Sequence, residues 1–127
     1  MSRYDRKKGV ELFNEVYCGK VPLPAGEGDS PFIDYMLETL FGRLWADETL
    51  SIRDRRLLLI GAIAAQGEAG TLAIQLRSAL LRGELTPAQL DAVAVFLTQY
   101  VGYPKGSQLF QIVNSVKAEV PAAQGGA

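Results

Sequence analysis

The sequence predicts an all-α fold, organised as a single domain of six helices. Apolar residues recur at helical spacing in six segments, and capping signals or helix breakers separate those segments. No segment shows the sustained apolar–polar alternation of a half-buried strand. The chain has 127 residues, of which 48% are hydrophobic, so it is long enough to bury a core within one domain.

The first part of the chain predicts two helices joined by a loop. Residues 3–17 carry an apolar face at helical spacing. Residues 18–30 contain several prolines and glycines and form a loop long enough to act as a lid or an interface arm. Ser30 is a predicted N-cap with Pro31 at the first helical position, and this second helix ends near Trp45.

The next two helices form the segment around which we expect the fold to be organised. Ser51 is a predicted N-cap for a helix over 52–66, which stops at Gly67. Another helix covers about 71–82, and Gly83 follows it in the position where glycine commonly ends a helix. The segment is rich in apolar residues and has its arginines near one end, so any pocket is expected at its glycine-containing joint.

Two more helices complete the prediction. Thr86 and Gln89 form a capping box with proline at the first helical position, and this helix continues through Val101. A break at 102–104 precedes the last helix, over about 105–119. We assign the folded domain to residues 1–120 and expect residues 121–127 to be a disordered C-terminal tail.

Composition excludes several classes of protein. The formal net charge of −1 lacks the basic excess of a nucleic-acid-binding protein. No apolar run approaches the roughly 20 residues of a membrane span, and the N-terminus lacks the pattern of a signal peptide. We therefore expect a cytoplasmic protein without a nucleic-acid or membrane partner.

The absence of histidine and the presence of a single cysteine, Cys18, restrict the chemistry. Histidine is the commonest general base and metal ligand. One cysteine forms neither an intrachain disulfide nor a Cys-x-x-Cys redox pair, and Cys18 is more often an inert small residue than a nucleophile. No phosphate-binding glycine loop is present, so no metal and no cofactor are expected.

Large apolar residues are more numerous than one small core can hold. Some of them are expected to be buried against other copies of the chain. The residues in question are Phe32, Phe41, Trp45, Phe96, Tyr100, Tyr103 and Phe110.

Four segments, taken in order, form a recognisable pattern. They are RYDRKKGVELFNEVYCG at 3–19, FGRLWADETLSIRDRRLLLIGAIAAQG at 41–67, LRSALLRGELTPAQLDAV at 76–93 and QYVGYPKGSQLF at 99–110. The pattern resembles the carboxymuconolactone decarboxylase family, which has the alkylhydroperoxidase D-like fold. The resemblance implies a helical fold that assembles into a ring, commonly a trimer or a hexamer. It also implies either decarboxylation of a lactone acid in aromatic catabolism or thiol-dependent peroxide reduction.

The residues at the joint favour the decarboxylase branch of this family. The peroxidase branch uses Cys-x-x-Cys-x-x-x-His, and the corresponding residues here are Glu68, Thr71 and Gln75. The resemblance therefore leaves a peroxidase without its nucleophiles and its histidine. The decarboxylase branch usually has a histidine before a Leu-Arg pair, and this chain has Gln75 before Leu76 and Arg77.

Five residues are candidates for a site. Arg55 and Arg56 are predicted to bind a substrate carboxylate, because guanidinium groups grip carboxylates in a bidentate manner. Positive charge in the first turns of a helix opposes the helix dipole, which suggests a role for these arginines. The alternative is that the arginines pair with nearby acidic residues or with a neighbouring subunit.

The other three candidates come from the joint and the fifth helix. Glu68 is predicted to face an apolar pocket and to donate a proton to the carbanion left by departing CO₂; alternatively, it only complements a helix N-terminus. Gln75 would orient a substrate oxygen or act as a structural amide. Tyr100 would present its hydroxyl to the pocket or pack in a core or interface.

Three functions remain open at this point. The first is a carboxymuconolactone decarboxylase-like lyase, without a cofactor, that acts on a small carboxylated lactone or related acid. The second is a non-catalytic oligomeric member of the family with a binding or scaffold role. A peroxidase-like reductase is the least favoured, because it needs a redox cysteine pair.

Overall fold

Helices dominate the part of the chain that the computed structural model describes, residues 5–120, and no β-strand occurs within that range. The all-α prediction with six helices is therefore confirmed. Two compact units can be distinguished, Met1–Ile52 and Arg53–Ala127. The predicted tail, residues 121–127, lies outside the described residues. None of the described helices is long and apolar enough to cross a bilayer.

The first unit contains α1, Arg6–Val16, and a second helix in two parts. This second helix begins as α2, Pro31–Tyr35, and continues as a π-helix, π1, over Met36–Leu44. The Ser30 side chain accepts a hydrogen bond from the backbone of Ile33, as the predicted N-cap requires. A helix start at this serine is thus confirmed.

The π-helical geometry of π1 is a difference from the sequence prediction, which expects an ordinary helix up to Trp45. The Trp45 N–H donates to the carbonyl of Leu40 at 2.8 Å, a spacing of five residues. The backbone of Leu37 lies so close to α1 that its carbonyl carbon and oxygen occupy the space that a Cβ on Gly9 would need. Two glycines, Gly9 and Gly42, thereby let α1 and π1 approach closely.

Aromatic rings fill the core of the first unit. Phe13 contacts Phe41 with ring centroids 5.1 Å apart, and Phe41 stacks on Trp45 at 6.1 Å. Tyr17 adds edge-to-face contacts with both phenylalanines. Phe41 and Trp45 belong to the large residues for which the sequence predicts too small a core, and both are buried within this unit.

The second unit consists of four helices, the first of which begins one residue before the boundary of the unit. The helices are α3, Ile52–Gln66; α4, Ala69–Leu81; α5, Pro87–Val101; and α6, Tyr103–Glu119. Aliphatic residues from all four helices make one buried cluster, which includes Ile60, Leu72, Leu76, Leu80, Leu90, Leu109 and Val113. Burial of this apolar surface is the main stabilising term for the unit.

Glycines end α3 and α4 where the sequence predicts. Gly67 and Gly83 adopt the left-handed conformation, with φ of 74° and 71°, which side chains disfavour. In both cases the N–H of the residue after the glycine donates to a carbonyl in the last turns of the helix, Glu68 to Ile63 and Glu84 to Ala79, as in a Schellman motif. Glu68 follows in an extended conformation as the N-cap of α4, so α4 begins at Ala69, earlier than the predicted Thr71.

The start of α5 confirms the predicted capping box. The Thr86 hydroxyl accepts from the Gln89 N–H, and the Gln89 side chain accepts from the Thr86 N–H. The break after Val101 is also present, but α6 begins at Tyr103, two residues before the prediction. Pro104 explains the difference, because a proline in the first turn of a helix needs no hydrogen-bonded N–H.

Candidate functional site

A buried polar cluster lies between α3 and the end of α4, and Arg56 is at its centre. The Arg56 side chain is fully buried, with 0% exposure. Its Nη1 donates to Oε1 of Gln75 at 2.8 Å. Its Nε and Nη2 donate to the two carboxylate oxygens of Glu84 at 2.9 and 3.4 Å. The fold thus brings together two predicted site residues, Arg56 and Gln75, that are nineteen positions apart.

Glu84, which is not among the residues predicted from the sequence, is the residue on which the cluster converges. Its carboxylate also accepts from Nε of Arg82 at 2.7 Å, and its main-chain carbonyl accepts from Nε of Arg53 at 3.0 Å. The Schellman motif at Gly83 directs the chain so that Glu84 follows immediately after α4. A glutamate directly after an Arg-Gly pair is the only signal in the sequence, and it does not indicate which distant arginine is the partner.

The pairing of Arg56 with Glu84 bears on the prediction that Arg56 binds a substrate carboxylate. The bidentate grip on a carboxylate, predicted for a substrate, is occupied by the protein's own Glu84, whose side chain is only 6% exposed. Buried charges are tolerated when they are paired and hydrogen-bonded, and Gln75 adds an acceptor for the remaining nitrogen of Arg56. The cluster therefore links α3 to the end of α4, and the Glu84 carboxylate compensates the buried positive charge of Arg56.

The remaining candidates lie outside this cluster. Glu68 is an exposed N-cap whose side chain makes no capping hydrogen bond. Arg55 is half-buried on α3. Tyr100 is 79% exposed on α5, and its ring lies 5.3 Å from that of Phe96. A catalytic role for Glu68 and Tyr100 and a substrate-binding role for Arg55 therefore stay predictions.

A groove of about 510 Å³ runs between α5 and α6 in the second unit. It has a largely apolar floor that includes Ala94 and the buried Gly106, and Tyr103 and Phe110 stand at its rim. The ion pair between Lys117 and Asp91, with oxygen–nitrogen distances of 2.7 and 2.9 Å, bridges the two helices beside it. None of the five predicted site residues lines this groove.

Metal-ligating side chains do not cluster within residues 5–120. No group of three or more histidine, cysteine, aspartate or glutamate side chains is placed to hold a metal ion in that range. Cys18 is half-buried just after α1.

Comparison with known proteins identifies the family. The model of the carboxymuconolactone decarboxylase family matches residues 31–115, a range that runs from α2 into α6 and contains all five predicted site residues. No curated protein and no solved structure matches the chain. Because the family match spans more than half of the sequence and agrees with the resemblance of the motifs and with the helical fold, the chain belongs to the carboxymuconolactone decarboxylase family.

Proposed function

We propose that this protein is a cofactor-free lyase of the carboxymuconolactone decarboxylase type that acts on a small carboxylated lactone or a related acid. The observation that supports the proposal is the family match over residues 31–115, which includes every residue predicted to take part. At the level of the family, a peroxidase-like function is the other possibility. Peroxide reduction of that kind needs a cysteine pair, and this chain has only Cys18.

The proposed reaction needs little from the protein beyond binding and proton transfer. The bond between a ring carbon and the carboxylate breaks, CO₂ leaves, and the electron pair moves into the conjugated lactone carbonyl. A proton then adds to the carbon that lost CO₂. Because the substrate carbonyl accepts the electrons, hydrogen-bond donors that stabilise the developing enolate are sufficient.

The roles we assign follow the placement of the candidates. Glu68 donates the proton, since it is exposed and a carboxyl group can act as a general acid. Arg55 binds the substrate carboxylate, and Tyr100 supplies a hydroxyl donor. For Arg56 and Gln75 we propose a positioning role, the alternative to substrate contact, because a substrate carboxylate would have to displace Glu84 from Arg56.

A second candidate function is a non-catalytic binding or scaffold role within an oligomer. The specific observation in its favour is the closed polar cluster. Gln75 stands where the decarboxylase branch usually has a histidine, and its side chain is buried and accepts a hydrogen bond from Arg56. An amide in this position transfers no protons at neutral pH, which favours a family member that binds a carboxylated ligand without converting it.

Replacement of Glu68 by glutamine tests the lyase proposal. The purified chain is expected to convert a carboxymuconolactone, or another member of a panel of carboxylated lactones, with loss of the lactone's ultraviolet absorbance. Removal of a general acid typically costs about 100-fold or more in kcat, so Glu68→Gln should lower kcat by at least about that factor. Glu27→Gln, a change of an exposed glutamate in the loop before α2, is the matched control and should leave kcat unchanged.

Two outcomes would contradict these assignments. Equal turnover by the wild type and Glu68→Gln would exclude Glu68 as the proton donor. Saturable binding of the lactones without turnover by the wild type would reject the lyase and support the non-catalytic candidate.

A further inference from the structure

The side of α6 that lines the α5–α6 groove carries aromatic and polar side chains at regular intervals. Tyr103, Ser107, Phe110, Asn114 and Lys117 follow one another in steps of three or four residues, and all of them line the groove. Steps of that size place side chains on one face of a helix. The groove therefore has one continuous wall in which rings alternate with hydrogen-bonding groups.

Small residues form the floor of the groove, where α5 and α6 touch. Ala94 and Gly106 are buried there, and a Cβ on Gly106 would overlap the side chain of Thr98. The rings at the rim, Tyr103 and Phe110, are seven residues apart, which is about 10 Å along α6. A recess of this length and of about 510 Å³ matches a compound of one or two rings, and its volume is in the range of small-molecule sites.

Two uncharged polar side chains in the groove are available to a ligand. Ser107 and Asn114 are exposed, and neither side chain hydrogen-bonds to another residue within 5–120. An amide and a hydroxyl both donate and accept hydrogen bonds. The Thr98 hydroxyl, by contrast, already donates to the carbonyl of Ala94 at 2.7 Å. An apolar floor with a few such polar groups is the usual composition of a ligand pocket.

The charges of the groove indicate that its ligand is uncharged. Asp91 and Lys117 are the only charged residues that line it. The Lys117 ammonium group donates to both carboxylate oxygens of Asp91, at 2.7 and 2.9 Å. A bound ion would lose part of its hydration and gain a counter-charge only by breaking this pair, which is unfavourable.

We propose that the α5–α6 groove is a binding site for an uncharged compound of one or two aromatic rings that carries an amide or a similar donor–acceptor group. The ring packs on Ala94 and Gly106 between the two rim residues, and the polar group hydrogen-bonds to Asn114. The ligand differs in charge from the carboxylated substrate of the proposed lyase. None of the residues assigned to that reaction lines the groove, so the proposal does not depend on the activity.

Nuclear magnetic resonance titration of the full ¹⁵N-labelled chain tests the proposal with three matched probes. Benzamide is uncharged, benzoate is an anion, and benzamidine is a cation at neutral pH, but all three share one ring and have nearly the same shape. Benzamide is expected to shift the amide signals of the groove residues saturably. Benzoate and benzamidine should bind at least about 10-fold more weakly, because neither finds an unpaired counter-charge.

Two variants locate the site. Asn114→Leu should weaken benzamide binding about five-fold, the contribution of one hydrogen bond. Ser107→Trp places a large side chain in the groove and should abolish the saturable shifts. The matched control is Gln111→Leu, an exposed position on α6 that does not line the groove, and it should bind benzamide as the wild type does. All three positions are exposed, and far-ultraviolet circular dichroism should confirm that each variant folds.

Three results would overturn the proposal. The first is the absence of saturable shifts at the groove residues when benzamide is added. The second is binding of benzoate or benzamidine as tight as that of benzamide, which would reject an uncharged ligand. The third is benzamide binding by folded Ser107→Trp or Asn114→Leu that equals wild-type binding, which would place the site elsewhere.

Discussion

Replacement of Gly9 by alanine is expected to destabilise the first unit by about 3 kcal/mol or more, the upper end of the range for overpacked sites. A Cβ at this position would lie 2.6 Å from the carbonyl carbon of Leu37 and closer still to its oxygen. Both atoms belong to the backbone of π1, so no flexible side chain can move aside. Either α1 and π1 separate, and the ring contacts of Phe13 with Phe41 are lost, or π1 is distorted.

Fluorescence of Trp45 in a urea titration measures this effect. Trp45 is the only tryptophan and lies buried against Phe41 in the first unit. The control is Gly61→Ala within α3, where the nearest atom to a new Cβ is 3.9 Å away on Leu97. Gly61 lies in the second unit, so this control is followed by far-ultraviolet circular dichroism. Alanine there should stabilise by about 0.5–1 kcal/mol, the usual gain over a mid-helix glycine. If Gly9→Ala left the urea midpoint unchanged, the close approach of α1 and π1 would be wrong.

Replacement of Glu84 by glutamine is expected to destabilise the second unit by about 3–5 kcal/mol, as when one partner of a buried ion pair is removed. Glutamine has nearly the same shape and keeps an acceptor, so the change removes little except the negative charge. The fully buried guanidinium of Arg56 then loses the carboxylate that accepts from its Nε and Nη2, and the nearby Arg82 keeps its positive charge. Urea unfolding followed by far-ultraviolet circular dichroism gives the free energy.

Arg77 and Glu119 provide a matched control, because they form the same bidentate pair at the surface. The distances from Nε and Nη2 of Arg77 to the carboxylate are 2.5 and 3.1 Å, and both side chains are partly exposed. Solvent screening limits such pairs to less than about 1 kcal/mol, so Glu119→Gln should cost that little. A loss for Glu84→Gln no larger than this would contradict the buried charge compensation.

The stability that the Arg77–Glu119 pair contributes is expected to depend on pH. The hydrogen bond from Arg77 lowers the pKa of Glu119, so the folded state favours the ionised carboxylate. The small contribution of the pair is therefore present at neutral pH and is lost as the pH falls through that lowered pKa. The wild type and Glu119→Gln should converge in stability in acid.

Local signals in the sequence predict most of the helices, because they act between near neighbours. The Thr86–Gln89 capping box and the glycines at 67 and 83 are defined by residues within one turn, and the structure confirms each of them. The start of α4 is less well predicted, because the extended conformation of Glu68 depends on how Gly67 ends α3.

The features that the sequence does not predict depend on contacts between distant residues. The π-helical geometry of π1 accompanies the approach of Leu37 to Gly9, which no periodicity within the helix reveals. Glu84 is similarly hidden, because its partner Arg56 is 28 positions away. Arg56 and Gln75 are both predicted from the sequence, either as substrate ligands or as an ion-pairing arginine and a structural amide. The choice between these alternatives depends on Glu84, a distant carboxylate that no local pattern connects to Arg56.

The polar cluster has a consequence for how this chain can change. The side-chain oxygen of Gln75 accepts a hydrogen bond from Arg56, and Arg56 in turn donates to the carboxylate of Glu84. The decarboxylase branch usually has a histidine at the position of Gln75. A histidine here would accept the hydrogen bond from Arg56 only through an unprotonated ring nitrogen. A protonated ring would place two cations together in a buried site. A substitution at position 56, 75 or 84 therefore removes a buried hydrogen bond from another member of the cluster, so we expect these three positions to change together.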